Sequence, residues 1–169
     1  ITNLYPTREA LKTTISGQKK TRLFNSMASQ SSLEIHHLIL KDGYAAINGL
    51  DKGNGGTFYV AGPLSINTSE IVNSRAAAEG GAIYSVAMNT EKNITIQDSL
   101  IHQNQANSYG SVLAMDCQAN LGATQTNVKI NSSSITRNGS SLTNSILDFC
   151  GYATVEMVNS TIAKNTASA

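Results

Sequence analysis

The sequence predicts an all-β fold, a parallel β-helix with three short strands per coil of about 27–34 residues. Three observations predict it. First, one apolar pattern recurs. With Leu33, Leu64, Ile94, Val128 and Val155 as position zero, position two reads Ile35, Ile66, Ile96, Ile130 and Met157. Position seven reads Leu40, Ile71, Ile101, Ile135 and Ile162. The starts lie 31, 30, 34 and 27 residues apart, a period typical of solenoids. Second, columns outside that choice agree. Position five reads Leu38, Ser69, Ser99, Ser133 and Ser160; position ten reads Gly43, Ser74, Asn104, Asn138 and Asn165; position twelve reads Ala45, Ala76, Ala106, Ser140 and Ala167. Third, each unit opens with period-two alternation. The intervening residues Glu34, Ser65, Thr95, Lys129 and Glu156 are polar and expected to point outward.

Within a coil, the first strand is followed by a polar turn, a second apolar position and the small or amide residues. A third strand closes the coil: Phe58-Tyr59-Val60, Ile83-Tyr84-Ser85-Val86, Val112-Leu113-Ala114-Met115 and Ile146-Leu147-Asp148-Phe149. Three of these follow Gly56, Gly81 and Gly110; the fourth follows Asn144-Ser145. One coil cannot bury its own apolar side, but stacked coils share a core. Four to six coils at about 4.8 Å each make a rod on the order of 20–30 Å long. Variable coil length is expected in the loops from Asn48 to Gly55, Ala87 to Lys92 and Gln118 to Thr126. A β-sandwich also has many short strands, but does not require matching columns at so many offsets.

Residues 1–32 differ and are expected to form an N-terminal cap or partial coil ahead of the coils at 33–169. Pro6 to Lys12 reads as a short helical turn, and Thr21-Arg22-Leu23-Phe24 as a strand preceding the first full repeat. The last coil ends after its amide and alanine. The expectation is that further coils follow in a longer chain or assembly, or that a neighbouring subunit covers the end.

Of the 169 residues, 40% are hydrophobic, enough for a core, and 14% are charged, too few for charge-driven disorder. The net charge is +1, and no basic run exceeds Lys19-Lys20-Thr21-Arg22, which argues against nucleic acid. No stretch approaches the roughly 18 apolar residues of a membrane helix, so no direct membrane insertion is expected.

Gly80-Gly81-Ala82-Ile83 matches a GGAI motif, and Ile101-His102-Gln103-Asn104, Ile135-Thr136-Arg137-Asn138 and Ile162-Ala163-Lys164-Asn165 resemble its companion FxxN with Ile in place of Phe. Residues 33–169 thus resemble the repeat region of chlamydial polymorphic outer-membrane proteins and similar repeat surface proteins of ciliates and other microbes. The resemblance implies a right-handed parallel β-helix of the pectate-lyase-like superfamily on an exported, surface-displayed and often adhesive protein.

Asn104, Asn138 and Asn165 are expected to form a structural asparagine ladder, their amides bonded from coil to coil and the residue itself accommodating a left-handed turn. Cys117 and Cys150 fall at nearly the same phase of adjacent coils. Stacked Cα atoms about 5 Å apart are within bridging range, so a Cys117–Cys150 disulfide and an oxidising compartment are expected. Sequons begin at Asn67, Asn93, Asn131, Asn138 and Asn159. The first three and Asn159 are candidate glycan acceptors, and Asn138 is expected bare.

An enzymatic β-helix needs clustered carboxylates. The outward first-strand column has none, and only Asp116 and Asp148 stand to approach one another across coils. Lys129 and Glu156 are expected to pair. His36, His37 and His102 share no column and read as surface residues. No catalytic residue, metal site or cofactor is expected. The functional expectation is a non-enzymatic extracellular or cell-surface module, serving as stalk, filament or adhesin segment. Its expected partners are neighbouring coils or subunits, glycans or host-cell receptors. The alternative is a carbohydrate-binding or carbohydrate-active β-helix.

Overall fold

The computed structural model is a parallel β-solenoid of about four turns. It describes residues 13–49, 51–88, 90–116, 125–140, 142–150 and 152–167. The expected helical turn at Pro6–Lys12 and Cys117 lie outside them.

The first strands of the coils, Leu33–His36, Leu64–Asn67, Lys92–Gln97, Thr126–Asn131 and Ala153–Val158, stack into a five-stranded sheet. The position-zero residues pair in register: Leu33 with Leu64, Leu64 with Ile94, Ile94 with Val128 and Val128 with Val155. Three of these strands begin two residues ahead of the alternation that signalled them. A second sheet has six strands: Thr13–Ser16, Leu38–Lys41, Glu70–Val72, Leu100–His102, Ser134–Thr136 and Thr161–Ala163. A third contains Phe24–Ser26, Phe58–Val60, Ile83–Ser85, Leu113–Met115 and Leu147–Asp148.

Several details differ from the sequence expectation. A fourth, minor sheet of two-residue strands, Tyr44–Ala45, Arg75–Ala76 and Gln105–Ala106, follows the position-ten residues. The expected loop after Asn48 is partly an antiparallel hairpin, pairing Ile47–Asn48 with Asp51–Lys52 beside Gly49 at φ +60°. The early strand runs from Phe24 to Ser26, not Thr21 to Phe24. Arg22 turns aside because its guanidinium is taken by Asp51 and by the Gly55 and Asn54 carbonyls.

Two residues per coil turn the chain through left-handed conformations. Position four (His37, Thr68, Asp98, Ser132, Asn159) and position nine (Asp42, Asn73, Gln103, Arg137, Lys164) all have positive φ. The ladder asparagines do not, which corrects the expectation that they occupy the left-handed turn; the residue before each does. Each such turn costs about 1 kcal/mol or more for a non-glycine residue and directs the next N–H along the rod axis. Side chains of the following coil receive these N–H groups. Leu38, Ser69, Ser99 and Ser133 donate to the Oγ of Ser69, Ser99, Ser133 and Ser160 at 3.1–3.2 Å. Ser74, Asn104 and Asn138 donate to the Oδ1 of Asn104, Asn138 and Asn165 at 2.8–2.9 Å. Each asparagine Nδ2 donates to an isoleucine carbonyl of the previous coil: Ile71, Ile101 and Ile135. The asparagine ladder expected from sequence is present, and a serine ladder runs beside it.

The core is continuous along the rod. Leu64, Ile66, Ile71, Phe58, Ile83, Ile94, Ile96, Ile101 and Leu113 are at most 1% exposed. In the last described coil Val155, Met157 and Ile162 occupy the same columns but are about two-fifths exposed, because no described coil packs over them. The Gly-Gly motif has a steric basis here. Gly80 has φ +67°, and a Cβ on Gly81 would stand 2.3 Å from the Ser111 carbonyl oxygen of the next coil.

Candidate functional site

The third sheet alternates like the first, but its outward column is different in kind. Phe24, Phe58, Ile83, Leu113 and Leu147 face the core in register, and Asn25, Tyr59, Tyr84, Ala114 and Asp148 occupy the intervening positions on the other face of the sheet, where Tyr84 and Ala114 are nonetheless covered. Two aromatic stacks therefore lie back to back. Phe24 and Phe58 stack inside with ring centroids 5.0 Å apart, and Tyr59 and Tyr84 stack outside at 5.3 Å. The Arg22 guanidinium lies over Tyr59, 5.0 Å from its centroid. Tyr59 is thus held between Tyr84 and Arg22, with a cation–π contact on one face.

Arg22 is itself immobilised. It donates to the Gly55 and Asn54 carbonyls and pairs with Asp51 at 3.0 Å. Burial works to raise Asp51, but bonds from Arg22 and the Gly53 N–H outweigh it and hold the carboxyl below its ordinary range. Around this assembly runs a groove of about 450 Å³, lined by Arg22, Asp51, Lys52 and Asn54 before the strands, by Asn25, Tyr59 and Tyr84 on them, and by Met27, Val86 and Asp116 after them. Burial, then the charges of Asp116 and Glu79, push the Tyr84 phenol up, with a hydrogen bond to Asn54 working the other way. Tyr59 is raised by burial and Asp116.

Past Tyr84 the column narrows to Ala114. Asp116 and Asp148 act there together with Glu79: burial and then these two acids raise its carboxyl, with Lys52 opposing. Burial raises Asp148. Glu79 was not expected in this neighbourhood. Lys92 is 4% exposed and donates to the Val86 carbonyl. Burial lowers its amine to about 8, with Asp116 opposing. Among the described residues, no group of three or more His, Cys, Asp or Glu side chains is arranged to hold a metal ion.

The outward first-strand column pairs as expected at one point, Lys129 with Glu156 at 3.4 Å. His102 departs from expectation. It is partly buried, and its Nε2 lies 2.7 Å from Oε1 of the buried Glu70. Of the sequon asparagines, Asn93 and Asn159 are exposed and Asn67 and Asn131 half-buried. Nδ2 of Asn131 donates to Gln97 and that of Asn67 to Ser65, whereas Asn93 accepts at Oδ1 from Asn127. Asn138 is 1% exposed, as its place in the ladder requires. Because Cys117 lies outside the described residues, its expected bridge to Cys150 is not among the contacts described.

The tyrosine column is masked in the sequence because Tyr59 and Tyr84 sit inside apolar runs. The period-two rule applied to Phe58-Tyr59-Val60 and Ile83-Tyr84-Ser85 would have turned both outward. No family model matches the chain, no curated protein matches it, and no solved structure matches it.

Proposed function

We propose that this chain is a non-enzymatic extracellular segment of a surface protein, serving as stalk, filament or adhesin segment. The observation that carries this reading is the pair of side-chain ladders, which link coil to coil from Leu38 to Ser160 and from Gly43 to Asn165. Such ladders add axial cross-links to a stack whose neighbours already share a core, which favours a stiff rod. The GGAI and IxxN positions support kinship with the repeat surface proteins named above, since each has a defined steric or hydrogen-bonding role in the coil. Sequons at exposed Asn93 and Asn159 fit glycosylation, and the proposal includes a Cys117–Cys150 bridge, which would require an oxidising compartment.

A second reading, that the rod itself recognises carbohydrate, is favoured by the polar groove over Tyr59 and Tyr84. In both readings the coils serve as scaffold and the outward face of the third sheet as the displayed surface.

Labelling cells of the native source with an antibody raised against the purified chain tests the surface assignment. Labelling of intact cells is expected. Labelling confined to permeabilised cells would overturn it.

A further inference from the structure

We propose that the groove over Tyr59 and Tyr84 is a binding site for a short, uncharged oligosaccharide. The inference rests on the reading of the third-sheet face as a recognition surface and adds the class of ligand.

The lining supplies what a hydroxyl-rich ligand needs. The Asn25 amide, the Tyr59 phenol, Asp116 and Lys52 offer donors and acceptors at several angles, Met27 and Val86 offer apolar contact for C–H faces, and the buried Asn54 and Tyr84, bonded to one another, form the fixed wall behind them. Met27 is 54% exposed and lines the groove mouth. The volume, about 450 Å³, lies within the usual range of small-molecule sites.

The charges argue against other classes. Arg22 and Asp51 neutralise one another, and Lys52 and Asp116 balance, so the groove carries no surplus cation for a phosphate or uronate. Arg22, the lone guanidinium lining it, has its donors committed to Asp51, Asn54 and Gly55. Glu79 beside Asn54 and Tyr84, and Asp148 next to Ala114, further disfavour an anionic sugar. A flat aromatic or nucleobase lacks a platform on Tyr59, because that ring already lies between Tyr84 and Arg22. Ring edges and hydroxyls are what remain to meet a ligand. The site is also preorganised: Arg22 fixes Tyr59, and the Asn54 side chain is anchored by the Glu79 N–H, so little ordering accompanies binding.

The test is titration of the isotope-labelled chain with maltotriose, cellotriose, mannotriose and triacetylchitotriose, followed by amide NMR. Trigalacturonate and chitotriose are the anionic and cationic comparators. At least one neutral trisaccharide is expected to shift the amides of Asp51–Asn54, Tyr59 and Tyr84. Tyr59→Ala is expected to weaken it about tenfold or more, and Tyr59→Phe, which keeps the stack, about threefold or more, as loss of one hydrogen bond implies. Lys129→Ala, on a different sheet, leaves binding unchanged. If Tyr59→Ala fails to fold, Tyr59→Phe carries the test. Silence with all four neutral sugars, tighter binding of either charged comparator, or unchanged affinity in Tyr59→Phe would overturn the proposal. The antibody experiment reads surface display independently, so failure of one is not failure of the other.

Discussion

Asn138 Oδ1 accepts two bonds from Asn104, one from its backbone N–H at 2.9 Å and one from its Nδ2 at 3.0 Å. The same asparagine then donates to the Ile101 carbonyl and to Asn165. One side chain therefore joins three coils at a position that is 1% exposed.

Replacing it strands buried partners on both sides. Asn138→Ala leaves the Asn104 N–H and the Ile101 carbonyl without it, and is expected to destabilise by about 2–4 kcal/mol. Asn165→Ala, at a half-buried position, is expected to cost about 1 kcal/mol. Asn138→Ser falls between, because Ser74 already fills this column upstream by accepting from Gly43. Urea unfolding of the three variants checks the order.

The second glycine of the GGAI motif and an exposed glycine make a second comparison. At Gly81 a Cβ would meet backbone oxygens of Ser111 and Gln105 at 2.3 and 2.5 Å, neither of which can move without parting the coils. At Gly49 nothing lies within 4 Å and only the positive φ opposes substitution. Gly81→Ala is expected to cost roughly 3 kcal/mol or more, by overpacking. Gly49→Ala is expected to cost about 1 kcal/mol. Thermal melts of both distinguish close packing from backbone strain.

Lys92 predicts a pH dependence. Its folded-state value of about 8 lies below the ordinary 10.5. Between those values the unfolded chain holds the proton and the folded chain does not, so this group makes stability rise with pH from about 8 towards 10.5. Lys92→Met removes the slope and is expected to stabilise at pH 7 by roughly 1–3 kcal/mol, the desolvation of the charge less the lost bond to Val86. Unfolding at pH 7 and at pH 9.5, wild type against variant, checks the sign. A larger wild-type deficit at pH 9.5 than at pH 7 would contradict it.

Ser85 is 1% exposed on the inward side of the third sheet, and its Oγ has no partner among the described residues. Its neighbours in register are Val60 and Met115. Ser85→Ala is expected to stabilise by about 1 kcal/mol, because the hydroxyl is desolvated without return. Chemical denaturation reads the change directly.

The coil pattern was legible because a solenoid repeats its packing problem. Ile66, Ile96 and Ile130 answer the same cavity, Ser99 and Ser133 the same orphan N–H, and Asn104 and Asn138 another, so each leaves a column in the sequence. What does not repeat was not legible. Arg22 leaves its strand for contacts with Asn54 and Gly55 that, among the described residues, do not recur in other coils, and the residues in register with His102 and Glu70 (Thr136, Val72, Ile39 and Leu100) do not repeat that pair. The groove was hidden for another reason. Tyrosine serves both as core and as surface, so Tyr59 and Tyr84 raised the apparent hydrophobicity of a strand whose middle residue faces out. Glu79 reached the Asp116–Asp148 neighbourhood from a turn, where the strand period carries no information.

A non-reducing peptide map of the protein from its native source, alkylated before digestion, tests the stacked-coil surface module most directly. One linked peptide pair joining Cys117 to Cys150 and glycan on Asn93 or Asn159 are expected, with Asn138 bare. Both cysteines recovered as alkylated free thiols, or glycan on Asn138, would contradict it.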